Sequence, residues 1–444
     1  MGTLVLASLL QASSQSKAWG AYNEPRYKRP RCTTTRSSTT TKEVQKGIKK
    51  TAKVETESER RENNGSDCSL HVTHPSVEQY LPVPLSAEPP YTIIIPRKGH
   101  IHLRHGQTLN LVCPGEKNRL SLDPTEKIHE PQCENLSILK LNGINQPLSN
   151  FKCSIIVKGQ VNKQLRPCAS GKGTLYDIGH KLPSGQWVGL ITVCHDSNSG
   201  STFYTKHQLI GSEIEYASKS TYRPEFSKEG LGIDASYMYL ISSQKEAFTI
   251  TLNSTDLADI YIRQNSFLVK GHLAPHADFL LATSQYSTYF YLNAAPKWQS
   301  VNNANWKSLE MAVRKNSRSY GTVDVFTGTH GLLTYPDINN NPQPIYLGGN
   351  GVLPVPKHFW KVVRSHRDNS GIAFVVINDP FLKDVPKAEQ LLCPDICAAA
   401  GWANPNWAKP EKGYLYCCEV SSFREAVSVA PPLEVAGILR AVAL

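Results

Sequence analysis

Apolar and polar positions divide the chain into three stretches. Residues 19–65 are rich in Thr, Ser, Lys, Arg and Glu and nearly lack large apolar side chains. Such a segment buries too little surface to offset its ordering entropy, which predicts disorder. From residue 68 to 195 short apolar runs, at 91–96, 109–113, 154–157 and 187–194, are broken by Pro, Gly and Asn. This pattern predicts strands and turns. Beyond Thr202 the runs lengthen. Residues 203–210, 247–252, 322–326, 359–363 and 371–377 read as strands, and 256–264 as a short helix. Residues 306–314 carry Trp306, Leu309 and Val313 at i, i+3 and i+7, a helical face. The expectation is an α+β body with a mixed or antiparallel sheet, preceded by a small β-rich module. No internal repeat is visible.

These shifts set the expected organisation: 1–65, a short leader and basic tail; 66–195, the β-rich cysteine-containing module; 196–430, the main α+β domain; and 431–444, a C-terminal tail. No apolar run nears the ~20 residues of a membrane helix, so no membrane partner is expected. No obligate protein partner is evident either. The net charge of +11 favours a polyanionic partner. Residues 1–65 hold 13 Lys and Arg against 6 Glu, however, so most of the surplus sits in the tail. The basic run at 46–53 could touch nucleic acid, but a solvated tail is the simpler reading.

Eleven cysteines and three sequons, at Asn64, Asn135 and Asn253, point together to a secreted, disulfide-bonded glycoprotein. The leader supports this weakly, because residues 2–10 are apolar with no preceding basic residue. Cys153 and Cys168 flank a polar loop and form a plausible local bridge. Cys393, Cys397, Cys417 and Cys418 could bind zinc, but without a paired C-x-x-C disulfides are favoured. The histidines at 71, 74, 100, 102 and 105 read as solvated surface, and Trp298 and Trp306 as core.

The chemistry concentrates between residues 267 and 314. A strand-like run ends in Lys270-Gly271-His272, and Asn302, Trp306, Glu310 and Arg314 follow at four-residue spacing. A neutral imidazole can take a proton from water while a metal and cations neutralise a phosphate ester. His272 fits the base role, with Gly271 allowing close approach of a substrate. Asn302 offers an oxygen to Mg²⁺ (or Mn²⁺), which keeps several waters and needs few protein ligands. Lys270 and Arg314 can contact phosphate. Asn302 and Glu310 lie about 12 Å apart along a continuous helix. Glu310 is therefore expected to hold a metal-bound water or an arginine, with Arg314 one turn on as its partner. For His276 and Asp278, beside the motif, loop hydrogen bonding and a substrate role remain open.

Lys270-Gly271-His272-Leu273-Ala274-Pro275 with Ala277-Asp278-Phe279, then Asn293, Pro296, Asn302, Trp306, Leu309-Glu310 and Arg314, resembles the DNA/RNA non-specific endonuclease family, the ββα-metal nucleases. The spacing from Pro296 to Arg314 matches without a gap. The cysteine-rich module, Val193-Cys194-His195-Asp196 and Tyr416-Cys417-Cys418 look like the secreted arthropod branch, with greatest likeness to crustacean double-strand-preferring nucleases. The resemblance spans about 68–430. It implies a ββα-metal core, His272 as general base, Asn302 as the metal ligand, Glu310 near the metal waters, and Arg314 as a phosphate or transition-state contact. Arg223 looks like the family's other active-site arginine. The implied substrate is duplex DNA, with RNA as a further one, and the implied product carries a 5′-phosphate.

Two positions depart from the pattern. Lys270 stands where the family has Arg, keeping charge but losing a bidentate contact. Lys297 stands where it has Gln, adding a positive charge that could contact phosphate or repel the metal. Two hypotheses follow: a secreted metal-dependent endonuclease, or a catalytically impaired nucleic-acid-binding relative.

Overall fold

The computed structural model describes residues 65–348 and 351–442. The leader, nearly all of the basic tail, Cys32 and the Asn64 sequon lie outside these residues. The first described segment forms small sheets. Strands β1 (Cys68–His71) and β2 (His100–Leu103) pair antiparallel. Along β1, Cys68 and Leu70 face inward while Ser69 and His71 face solvent, the two-residue period of a half-buried strand. Two three-stranded sheets follow, one from Val83–Leu85, Asn110–Val112 and Ile128–His129, the other from Gln132–Asn135, Ile138–Leu141 and Ile144–Pro147. Bridges Cys68–Cys133 and Cys113–Cys153 tie this region together. Residues 91–96 form no regular strand; Ile93 alone bridges to Leu85. Pro89, Pro90 and Pro96 offer no N–H to a ladder there. Residues 154–157 are likewise irregular.

A nine-stranded sheet dominates the rest. Its strands are β3 (Gln160–Cys168), β4 (Gly173–Lys181), β5 (Trp187–Asp196) and β6 (Ser201–Ile210). Between these and the later strands come helices α1 (Ile241–Leu252) and α2 (Thr255–Tyr261), the strand pair β7 (Leu268–His272) and β8 (Ala294–Trp298), and helix α3 (Lys307–Tyr320). The sheet then continues with β9 (Thr322–Leu332), β10 (Pro356–Ser365), β11 (Ser370–Ile377), β12 (Leu415–Cys418) and β13 (Gly437–Ile438). The order is β12-β11-β10-β9-β6-β5-β4-β3, antiparallel throughout, with β13 parallel to β11. The sheet is mixed by virtue of β13 alone. It takes strands from both sides of residue 195, and residues 437–438 belong to it.

Strict alternation builds two cores on this sheet. Val323, Val325, Phe359, Val363, Ile372, Phe374 and Val376 face α1, α3, β7 and β8. Phe326, Trp360, Val362, Ala373, Val375 and Ile377 face the C-terminal segment. Residues 247–252, expected to be a strand, are the end of α1. The β-branched run Thr249-Ile250-Thr251 misleads; burial falls on Gln244, Phe248 and Leu252 at i, i+4 and i+8, and Asn253 caps the helix in the left-handed region (φ 51°). The expected Cys153–Cys168 bridge is also wrong. Cys168 bonds Cys194, where the sheet brings their Cα atoms to 5.9 Å, and Cys153 bonds Cys113. Cys393–Cys418 and Cys397–Cys417 close the last cluster, leaving no zinc-binding thiolates there.

Candidate active site

The site is built on β7, β8 and the helical segment after β8. In the β7–β8 ladder Gly271 lies opposite Ala295 and His272 opposite Ala294. The chain beyond His272 is fixed by Asn293. Its Oδ1 accepts from the Ala274 N–H at 2.8 Å, and its Nδ2 donates to the Ala274 carbonyl at 2.8 Å. Asn378 holds β8 to the sheet, accepting from the Trp298 N–H at 3.0 Å and donating to the Pro356 carbonyl at 2.9 Å. Gly271 serves the core rather than a substrate: a Cβ there would lie 2.7 Å from Lys297 Cβ and 3.2 Å from the Ala295 carbonyl.

His272 is half-buried, packed 4.9 Å from the rings of both Phe226 and Tyr289. Its Nε2 is buried without a hydrogen-bond partner. Burial, together with the nearby charges of His276, Lys297 and Arg223, pushes its pKa down to about 3. The ring is therefore neutral, with a nitrogen free to accept a proton. His276 is pushed down to about 4, by burial and by Arg223.

The expected helix begins earlier than Trp306. A turn at Gln299–Val301 runs into a π-helical turn at Asn302–Trp306 and on into α3. π-turns inside α-helices are rare and frequent at functional sites. Asn305 anchors this one, its buried amide donating to the Asn406 and Gly413 carbonyls, each at 2.8 Å. Asn302 remains half-exposed on the outer side. Its Nδ2 donates to Asn303 Oδ1 at 3.2 Å, and its Oδ1 has no partner among the described residues. Glu310 also forms no hydrogen bond or ion pair among them. Burial and the charge of Asp278 raise its pKa, against Lys361, Lys297 and Arg314. Because the helix starts before Asn302, the two oxygen donors stay about two turns apart.

Arg314 does not pair with Glu310. It donates to Asp278 Oδ1 at 2.8 Å, while His207 Nε2 donates to Asp278 Oδ2 at 3.0 Å. Burial pushes Asp278 up, but the His207 hydrogen bond and the Arg314, His207 and Lys361 charges more than reverse this and hold it at about 2. Asp278 is thus a buried carboxylate that aims Arg314, whose side chain stays 18% exposed. Arg223 is exposed, tethered to the Ser220 carbonyl at 2.6 Å, and close enough to depress both histidines. Lys270 lies 5.5–5.6 Å from the rings of Phe226, Tyr239 and Tyr291. Burial lowers its pKa while Glu225 opposes the shift.

Lys297 is fully buried. Its Nζ lies 4.0 Å from the Trp306 ring centroid and 4.2 Å from that of Phe359, and burial lowers its pKa well below the ordinary value. It reaches neither solvent nor phosphate from there. Lys361, also buried, donates to Thr327 Oγ1 at 2.6 Å and lies near Glu310 and Asp278. Sequence reasoning missed Lys361 and His207. A lone lysine inside the apolar run 359–363 was the available signal for the first; His207 gave none.

The structure therefore offers a neutral imidazole with an unpartnered nitrogen near Arg223, and two unpartnered side-chain oxygen donors on the helical segment after β8. Amide and carboxylate oxygens suit a small hard divalent cation that keeps most of its waters, so the donor set fits such an ion. A neutral imidazole, cations and hard oxygen donors are the kinds of group that metal-assisted phosphodiester cleavage uses. The profile of the DNA/RNA non-specific endonuclease family matches residues 171–423. The chain belongs to this family of metal-dependent nucleases. Among named proteins it is 28% identical to a salivary endonuclease of Lutzomyia longipalpis over 81% of this chain and 80% of that one. It is 26% identical to salivary protein Tsal2A of Glossina morsitans morsitans, over 76% and 84% of the two chains. An EndoG/EndoGI complex structure aligns at a TM-score of 0.31 and 18% identity over 45% of this chain and 76% of that chain, too distant to bear on the fold.

Proposed function

We propose that this chain is a secreted, Mg²⁺-dependent endonuclease that hydrolyses duplex DNA, and RNA as well, leaving 5′-phosphate ends. The observation that carries the reading is the orphaned Nε2 of His272, on a ring that Arg223 and Lys297 lie close enough to influence. In this reading His272 accepts the proton of the attacking water at Nε2. A pKa near 3 makes the free imidazole a weak base. An incoming phosphodiester brings negative charge against Arg223, which helps hold the value down, and so raises the basicity when substrate is present. Arg314, held by Asp278, and Arg223 neutralise the non-bridging phosphate oxygens as charge builds. Lys270 adds positive potential from its aromatic surroundings.

Asn302, with its free Oδ1, would hold the Mg²⁺ ion, and Glu310, two turns along the helix, would help order the water around it. When bound, the ion supplies charge neutralisation at phosphate and at the departing 3′-oxygen. Secretion is supported by five disulfides, by exposed Asn135 and Asn253 within sequons, and by relatives named as salivary proteins. Among the described residues no helix is long and apolar enough to cross a membrane. The binding-only alternative rested on Lys297 and on the basic tail; the burial of Lys297 removes the first ground, and the tail lies outside the described residues. Purified protein is tested on duplex DNA, single-stranded DNA and double-stranded RNA, with and without EDTA. Magnesium-dependent cutting that His272→Ala abolishes supports the enzyme. Tight binding without cutting under any divalent ion would overturn it.

A further inference from the structure

The β1–β2 pair carries a second group of imidazoles outside the nuclease centre. His71 and His100 stand directly opposite each other in the ladder, and His102 lies two residues along β2 on the same face. That face is turned to solvent: His71 and His102 are exposed and His100 is half-buried, while Leu70, Ile101 and Leu103 fill the core behind. The rings of His71 and His100 stack with centroids 4.2 Å apart, and those of His100 and His102 lie 6.1 Å apart. The disulfide Cys68–Cys133 fixes the start of β1, so the strands presenting these rings are held in place.

Hydrogen bonding has already sorted the tautomers. His100 Nδ1 lies 2.9 Å from the Lys98 carbonyl. A carbonyl only accepts, so Nδ1 carries the proton and Nε2 keeps its lone pair. A ring N–H bonded to a backbone carbonyl is the usual outer support of a metal-ligating histidine. His74, 5.2 Å from His71, is excluded as a ligand by the same logic. Its Nδ1 accepts the Ser76 N–H at 3.2 Å as the cap of a short helix, which leaves the proton on Nε2.

We propose that His71, His100 and His102 form a surface site for a borderline divalent cation of the Zn²⁺ class, separate from the catalytic ion. Three imidazoles suit Zn²⁺, Cu²⁺ or Ni²⁺ and do not suit Mg²⁺, which prefers oxygen. The Lys98 carbonyl holds the His100 ring in place, and rotation of His71 and His102 about χ2, a soft torsion for histidine, brings their nitrogens toward His100 Nε2. Water completes the coordination, as in other three-histidine zinc sites.

The test uses the untagged full chain, stripped with EDTA and titrated with ZnCl₂ by calorimetry in excess Mg²⁺. One zinc is expected to bind at micromolar concentration. His71→Gln and His100→Gln should each weaken it by more than about tenfold, and the double variant should lose it. His105→Gln, in the turn beyond β2 and off the face that carries the three rings, should bind as the parent does. All four variants should keep the parent's thermal midpoint in EDTA and its Mg²⁺-dependent cleavage rate. Absence of zinc binding, or binding unchanged in the double variant, overturns the proposal.

Discussion

The β7–β8–α3 region and the sheets of residues 68–153 solve opposite problems. The first holds a buried lysine packed on aromatic rings, a histidine nitrogen with no partner, and two unpartnered oxygen donors. No cysteine stands between Cys194 and Cys393, so no disulfide lies within it. The second has short strands with their polar groups turned outward, and is stapled by Cys68–Cys133 and Cys113–Cys153. The difference teaches where each region finds its rigidity. The β7–β8–α3 elements lie on a continuous apolar core with Trp298, Trp306 and Phe359, whose burial offsets the cost of the unpartnered groups. The small sheets have a lesser core of their own, and covalent links make up the shortfall.

If that division is right, removing chemistry and removing staples should affect different observables. The largest effect is expected from His272→Ala. General-base catalysis is worth about 10²–10⁴-fold, so the rate on duplex DNA should fall by that much with an unchanged circular dichroism spectrum and melting temperature. Replacing Cys113 and Cys153 together by Ala should do the reverse. Loss of a native disulfide costs about 2–5 kcal/mol, so the urea midpoint should drop while the rate at 25 °C stays within about twofold of the parent.

Acid should act on the sheet that both regions adjoin. His180 and His195 are pushed down to about 4 and His358 to about 3, each by burial first. Between pH 6.5 and those values the unfolded chain binds more protons than the folded one. Stability should therefore fall as pH drops through that window, by up to about 1.4 kcal/mol per unit for each histidine. Urea unfolding at pH 7, 6 and 5 measures it. A stability flat across this range would refute the assignment of buried neutral histidines. The smallest effect is expected from Lys297→Met. Replacing a buried charge by a hydrophobe of similar volume is often neutral or stabilising, so the melting temperature should hold or rise and the rate should change by less than about tenfold.

What the sequence made legible follows from the range of the interactions involved. The α3 face of Trp306, Leu309 and Val313 is a local periodicity, and all three residues are buried. Most of the sheet strands were readable because alternation is local too. Thr249-Ile250-Thr251 was misread because β-branched residues prefer strands, whereas the packing of Gln244, Phe248 and Leu252 decides for helix. Asp278 binding Arg314 spans 36 residues, and His207 binding Asp278 spans 71. No pattern along the chain reports such partners. The inward turn of Lys297 likewise depends on Phe359, which arrives from β10. The π-turn at Asn302 depends on carbonyls more than a hundred residues later.

The central claim is that Asn302, at that π-turn, holds the ion that works with His272. It is tested most directly by the Mg²⁺ dependence of duplex-DNA cleavage in the parent chain and in Asn302→Ala. The account predicts cleavage that EDTA abolishes and Mg²⁺ restores, with Asn302→Ala requiring more than about tenfold higher Mg²⁺ or losing activity outright. Cleavage that persists in EDTA, or an Asn302→Ala variant with the parent's Mg²⁺ dependence, would contradict it.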